Sequence, residues 1–592
     1  MVRNLFALLA LLTVFSCMNQ TKTSLTQHPL DQSESRTLVL ENGLKVYLLS
    51  DPKFNMSAAS MAVEVGSLEN PQDREGIAHF LEHMLFLGTE KFPDVDEYSE
   101  YLRTYGGYAN AYTASDHTNY QLQVLPDGFE GAIDRFAQFF IAPLFTDEYT
   151  EREVNAVNSE HQKNIMSDNW RQFRVTSLFA KEGHPIRKFG TGNLETIGDI
   201  TRDELISFYE KYYSSNTMGL ALLSDHSLDN LESWAKTYFS DIKNRNLGRT
   251  VHDPEVFTKK ETTRIVQIDP VKDIRDLQLF FPISGTRDMY QSKPGRQMGF
   301  ILGHEGKGSL LSFLKEKGWA TSLSAGAGSD TKEYGRASVK IGLTEQGLKD
   351  YEEVLMATVD YIRLMKSAGY QEHVFNELKT MAELEYVYGA KGEGMWRATQ
   401  LANEAMMYPL ENVGKINYMY NDKNPKPYED LLEQLELNNM LVVITAKGVS
   451  TDQVEYYYNA PYSYHEDEDL YGLLSEKREN KKLKIPEVNP FIPTTASVPN
   501  RDIIDNKLPR LLSSDLGHEL YFGEDHEFLR PKGMISLKIL MPQEQMSLNH
   551  RVYSKIYSAC VNESLNELGY PAKQAGLNYS FREGYEGFYI TI

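Results

Sequence analysis

A chain of 592 residues is long enough for three or more domains of roughly 150 residues each. With 83 Asp+Glu against 61 Lys+Arg, its net charge of −22 makes it a poor nucleic-acid binder, because phosphate contact needs a basic face. A composition 41% apolar and 11% aromatic can bury cores, and two cysteines, Cys17 and Cys560, exclude a fold that depends on a framework of disulfides.

The chain opens MVRNLFALLALLTVFSC. Arg3 precedes an apolar run from Leu5 to Phe15 that is too short for a membrane helix of about 20 residues. Residues 1–17 therefore read as a secretory signal. The run ends in VFSC, similar to a bacterial lipobox, which makes Cys17 the expected lipidation site and mature N-terminus; ordinary cleavage nearby is the alternative. Residues 18–35 are polar and rich in Ser, Thr and Gln, as suits a tether. The expectation is an exported, periplasmic lipoprotein held to a bacterial membrane by its N-terminal lipid.

Residues 36–250 form a first block. RTLVLENGLKVYLLSDP alternates as strands do and turns at Asn42-Gly43, which predicts a hairpin. SAASMAVEVGS is a further strand, and helical patterns then alternate with the strands TNYQLQVLP and NTMGLALLSD. Residues 260–465 read as a diverged copy. YLRTYGGYANAYTA, from Tyr101, lines up with FLKEKGWATSLSAG, from Phe313. At a similar offset, TNYQLQVLPDGFEGAIDRFAQFF lines up with RASVKIGLTEQGLKDYEEVLMATV, which indicates an internal repeat. From Tyr351 onward, Val354, Leu355, Thr358, Tyr361, Ile362 and Met365 recur at helical spacing. Residues 466–507 turn charged and proline-bearing and read as a connector. Residues 508–592 echo the pattern through SKIYSACVNESLNELGYPAKQAGLNYSF and stop within a strand at GYEGFYITI. A domain ending there lacks its remainder or borrows it. The expected class is α+β: repeated domains, each a mostly antiparallel sheet packed with helices.

The first block contains GIAHFLEHMLFLGTEKFP, from Gly76. His79, Glu82 and His83 stand in an otherwise apolar run, where polar groups are costly to bury without partners. Their i, i+3, i+4 spacing puts them on one helix face. Two imidazoles one turn apart can chelate a zinc ion, with an open position for water and the glutamate placed to take a proton. With 14 histidines in 592 residues, H-x-x-E-H arises by chance about 0.03 times per chain of this length. The competing reading is a helix whose histidines are satisfied by backbone groups. A third ligand is needed, and TEREVNAVNSEHQKNIM, from Thr150, is a helix with Glu153, Glu160 and Asn164 on one face. Glu153 and Glu160 are two turns apart, so both can point at one site. His161 competes on residue type but points about 100° from its neighbour. The second copy lacks the two-histidine run; its region near His304 reads LGHEGKGSLL.

HFLEHMLFLGTEKFP, ANAYTASDHTNYQL and EREVNAVNSEHQKNIMSDNWR together resemble the pitrilysin/insulinase family of zinc metallopeptidases. LGHEGKGSLLSFLKEKGWATSL and RKFGTGN extend the resemblance over nearly the whole chain. It implies repeated pitrilysin-type domains and one zinc held by His79, His83 and Glu160, which sets His161 aside. It makes Glu82 the base and Glu153 a carboxylate behind the ligands. It implies that peptide adds to an edge strand at Asn110 and Ala111, with Phe86, Tyr112, Trp170 and Thr191 lining the cleft beside the scissile bond. In the second, inactive copy, Gly303, Glu305 and Leu323 match an exosite for substrate N-termini, although Ser324 and Ala325 stand where the family carries Val-Gly. The implied activity is zinc-dependent endopeptidase cleavage of peptides and small polypeptides; the alternative is a non-catalytic peptide-binding or assembly subunit on the same fold. Members of this branch carry four related domains in two halves. The C-terminal half, in cis or as a separate chain, is therefore an expected partner, and the chain alone is expected to be weakly active.

Overall fold

Asn42 and Gly43 turn the chain as the dipeptide predicts. In the computed structural model, Gly43 adopts φ +85, and Asn42 Oδ1 accepts the Leu44 N–H at 3.2 Å. The turn joins β1 (Glu34–Val39) to β2 (Lys45–Ser50) as an antiparallel pair. The structure describes residues 25–476, 478–496, 508–515, 517–524, 527–541 and 547–592. The signal segment with Cys17, and residues 497–507 of the connector, lie outside the described residues.

With β3 (Ser57–Val63), β4 (Tyr108–Thr113), β5 (Thr118–Val124) and β6 (Met218–Ser224), the first block makes a six-stranded sheet in the order β1-β2-β6-β3-β5-β4. Only β2 and β6 run parallel, and β4 is an edge. Helices α1 (Ile77–Met84), α2 (Phe129–Gln138) and α3 (Asp147–Asn164) cover one face. Phe80, Leu81, Phe136 and Val157 meet Val46, Met61, Tyr120 and Leu222 there in one buried cluster. Each such side chain, fully buried, contributes about 1.5–3 kcal/mol. A further helix, α4 (Asp168–Ser177), follows.

The second block repeats this plan. Its strands β7 (Arg264–Ile268), β8 (Arg275–Ser284), β9 (Ala320–Ser329), β10 (Tyr334–Leu343), β11 (Leu441–Ala446), β12 (Gln453–Glu455) and β13 (Ala460–Glu466) take the order β12-β13-β7-β11-β8-β10-β9. The run β7-β11-β8-β10-β9 matches β2-β6-β3-β5-β4 strand for strand, including one parallel pair at the same place. Helix α5 (Pro294–Leu302) follows β8 as α1 follows β3. On α6 (Tyr351–Ala368), Val354, Leu355, Thr358, Tyr361, Ile362 and Met365 are buried, the face that their spacing predicts.

Every residue of β3 is buried, so both faces of the sheet are covered. The second cover is α7 (Gly394–Met407), supplied by the second block. Its Ala398, Leu401, Ala402 and Ala405 pack on Ala58, Ala62, Ala221 and Leu223. The first block returns the arrangement: Val175 of α4 and the following Phe179 pack on Val266, Ile268, Leu441 and Val443 of the second sheet. Small residues let α7 approach closely. A Cβ on Gly219 would lie 2.5 Å from both the Ala402 carbonyl oxygen and the Met406 nitrogen. Gly219→Val is therefore expected to push α7 off the sheet and destabilise the protein by about 3 kcal/mol, read as a lower denaturant midpoint. An unchanged midpoint would show that the helix yields freely.

In the third block, β14 (Arg510–Asp515) pairs with β15 (His518–Phe522), and β16 (Ser536–Leu540), β17 (Ser580–Gly584) and β18 (Gly587–Thr591) form a sheet in the order β16-β18-β17. Helix α8 (Leu548–Gln574) ties this block to the second: Lys315 Nζ lies 2.6 Å from Glu563, and Asn566 Nδ2 donates to Glu305 at 3.0 Å. Leu511, Leu520, Leu537 and Ile539 on these strands are exposed. Among the described residues no helix is long and apolar enough to cross a membrane.

Candidate metal centre and cleft

Helix α1 begins at Gly76, whose φ of +96 favours glycine. Asn70 Oδ1 accepts the Ala78 N–H at 3.0 Å, which satisfies one free donor of the first turn. The helix buries Ile77, Ala78, Phe80, Leu81 and Met84, so His79 and His83 are left on the opposite side, one turn apart with ring centroids at 4.9 Å. Helix α3 buries Val154, Val157 and His161 and presents Glu153 and Glu160 to the same place.

His79 Nε2 and His83 Nε2 lie 3.7 and 3.8 Å from one oxygen of Glu160. Ligand atoms of these three residues all fall within 4.8 Å of one another, the one such group of His, Cys, Asp and Glu among the described residues. The other ring nitrogens are taken. His79 Nδ1 donates to the Thr191 carbonyl at 2.7 Å, and His83 Nδ1 faces Glu153 Oε2 at 3.4 Å. Outward partners of this kind fix imidazole orientation and leave Nε2 for a metal. Two imidazole nitrogens and one carboxylate oxygen form a donor set that suits zinc with one position open. The residues therefore fit the ion.

Glu82 is not one of the three. Only 6% exposed, it accepts a hydrogen bond from the Thr113 hydroxyl at 2.6 Å. Burial drives its carboxyl above the ordinary carboxylate range, opposed by the His79 imidazole, the Thr113 hydrogen bond and His83. His83 behaves oppositely to what burial dictates. Burial alone would depress it, but its hydrogen bonds to Glu153 and Glu160 prevail and lift it to about 9. Hydrogen bonding to His83 is likewise the main reason that Glu153 and Glu160 are held low. His161 turns away: its Nε2 meets the Tyr457 carbonyl at 3.0 Å in an aromatic nest, and burial lowers its pKa.

The cluster lies in a cleft of about 910 Å³. Its walls include residues 109–113 of the edge strand β4, among them Asn110, Ala111 and Tyr112, with Ala114 and Ser115 after it, together with Phe86, Trp170 and Thr191. Phe86 packs edge-on against Phe139 at 5.2 Å, and Trp170 is 40% exposed. The Tyr112 hydroxyl accepts from Asn403 at 2.8 Å and lies 3.1 Å from His117 Nε2. Gly303, Glu305 and Leu323 line no part of this cleft. Glu305 and the Gly303 carbonyl face α8, through Asn566 and the Tyr570 hydroxyl, and Leu323 joins the second core. Nearby His304 is buried and held down to about 4. Thr113, Phe173 and Tyr458 are among the cleft residues that escape sequence reasoning. The run YYY at 456–458 was the available signal for the last.

Three family models match the chain: insulinase (peptidase family M16) at residues 45–182, the peptidase M16 inactive domain at 199–382, and the middle or third domain of peptidase M16 at 386–592. Insulin-degrading enzyme of Homo sapiens is 36% identical over 578 residues, covering 96% of this chain and 57% of that protein. The A-factor-processing enzyme of Saccharomyces cerevisiae is 35% identical over 577 residues, with 95% and 56% covered. The crystal structure of pitrilysin superposes with a TM-score of 0.86 at 27% identity, over 96% of this chain and 61% of that one. The chain thus spans a little over half the length of the curated relatives it matches.

Proposed function

Because the chain belongs to the pitrilysin/insulinase family of metallopeptidases, we propose that it is a zinc-dependent endopeptidase whose working residues are His79, His83, Glu160 and Glu82. The observation that carries this reading is the convergence of three ligand atoms within 4.8 Å of one another beside a buried carboxylate. Zinc held there would supply a Lewis acid that polarises a peptide carbonyl and acidifies water.

The chain's own residues supply the rest. Thr113 holds the Glu82 carboxylate at 2.6 Å, in the lining of the cleft that also contains the two imidazoles. From there it accepts the proton of the attacking water and returns it to the leaving amine. Among the described residues strand β4 pairs only with β5, so its other edge at Asn110 and Ala111 can take an extended peptide as a further strand. Phe86, Tyr112 and Trp170 flank that edge and accept side chains. The names of the relatives, an insulin-degrading enzyme and an A-factor-processing enzyme, concern polypeptide substrates of those proteins. We carry over the class, peptides and small polypeptides, and nothing narrower.

The test is zinc content together with hydrolysis of a quenched fluorescent peptide. We expect about one zinc per chain, cleavage that stops on chelation, and recovery on adding zinc back. Cleavage that persists in protein stripped of metal overturns the reading.

A further inference from the structure

The carbonyl that holds His79 belongs to a piece of chain flanked by glycine on both sides. Residues 190–192 read Gly-Thr-Gly. Gly192 has φ +83, and a Cβ on Gly76 would fall 2.3 Å from Gly192 Cα, so the loop lies backbone against backbone on the start of α1. Glycine on both sides leaves the Thr191 peptide with little torsional restraint of its own. A carbonyl free to swing cannot fix an imidazole. The only side chain in the tripeptide is that of Thr191, and it is buried. Its Oγ1 lies 3.2 Å from the hydroxyl of Tyr458, a residue 267 positions along the chain, in the second block.

Tyr458 is itself immobilised. It sits in the connection between β12 and β13, 2% exposed. Its backbone N–H donates to Glu455 Oε2 at 2.7 Å, and its carbonyl accepts from Arg171 at 3.1 Å. Glu455 is paired in turn with buried Arg174 at 2.9 Å. The Tyr458 ring stacks on Trp170 at 6.2 Å and 3°, and meets His161 and Phe189 edge-on. Its hydroxyl is thus a fixed point delivered from the copy of the repeat that has no metal ligands.

We propose that Tyr458 is a positioning residue for the metal centre: through its hydroxyl it anchors Thr191, whose carbonyl orients His79. The inference rests on the metal reading above and adds a second-block requirement to a site whose ligands all lie in the first. The anchor acts on how tightly His79 grips the ion. Its loss should therefore appear in metal release, while Trp170 keeps its stacking partner in any variant that retains the ring.

The experiment uses the full chain loaded with zinc, and the rate of zinc transfer to a chromogenic chelator. Tyr458→Phe keeps the ring and loses the hydroxyl; it should release zinc about tenfold faster, as loss of an outer partner of a ligating histidine does. Thr191→Val should do the same, and the double variant should be no worse than either single, because both break one link. Thr191→Ser keeps a hydroxyl and should restore slow release. Cobalt-substituted protein should show an altered visible spectrum in Tyr458→Phe and Thr191→Val but not in Thr191→Ser. Release unchanged in Tyr458→Phe, or effects that add in the double variant, overturns the proposal. A wild-type chain that takes up no zinc overturns the metal reading, and this proposal falls with it.

Discussion

Glu82→Gln is expected to keep its zinc and lose peptide hydrolysis by about 10²–10⁴-fold, the usual worth of a positioned proton acceptor. Glutamine preserves the volume of a side chain that is 6% exposed, so the packing of α1 survives. Its amide oxygen can still accept the Thr113 hydroxyl, which lies 2.6 Å from the native carboxylate. What disappears is the ability to hold a proton between bond attack and amine departure. The ligand group consists of His79, His83 and Glu160, so metal content should not follow activity down. Metal analysis and turnover measured on one preparation decide it. Native turnover in a zinc-loaded Glu82→Gln chain sinks the assignment. Loss of zinc along with activity would instead make Glu82 a ligand.

His83→Ala should leave zinc at a small fraction of one per chain, since two remaining ligands rarely hold a structural or catalytic zinc. The native residue also predicts how binding depends on pH. Folded, metal-free His83 keeps its proton up to about 9, against an ordinary value of 6.5. The pairing with Glu153 and Glu160 therefore stabilises the metal-free protein fully below pH 6.5, and that contribution drains away as pH rises to 9. A metal needs the neutral imidazole. At pH 7, binding should thus release about one proton, and affinity should climb about tenfold per pH unit until His83 has titrated. Calorimetry in buffers of different ionisation enthalpy counts that proton. No release at pH 7 would show that Glu153 and Glu160 do not hold His83 charged.

The grouping of His79, His83 and Glu160 was legible because its signal is local. Three chemistry-bearing residues at i, i+3 and i+4 define a helix face without reference to the rest of the chain, and Glu153 and Glu160 do so on a second helix. The repeat was legible for a similar reason, through matched strand, turn and helix at matched offset. Periodicity is silent about partners across the fold. The pattern of residues 394–407 marks an amphipathic helix, but nothing in it says that the helix covers a sheet formed 170 or more residues earlier. The one available hint was the lack of alternation in SAASMAV, where every position is buried. Tyr458 was hidden in the same way. Its role comes from Thr191, Trp170 and Glu455 together, and only the last of these is near it in sequence.

The exchange of covering helices between the blocks sets a timetable during synthesis. Strand β6 is complete at Ser224, and α7 begins at Gly394. At about 5–20 residues per second, the back of the first sheet waits roughly 10–30 s for its cover. A face of leucine and phenylalanine would be a hazard over that interval, because bare apolar surface seeks other chains. Beside Tyr47, Leu49 and Leu223, the waiting face is built from Ala58, Ser60, Ala62, Gly219 and Ala221, which offer little area to a stranger. The small side chains that admit α7 closely thus also keep the unfinished chain from adhering to its neighbours while α7 is still being made.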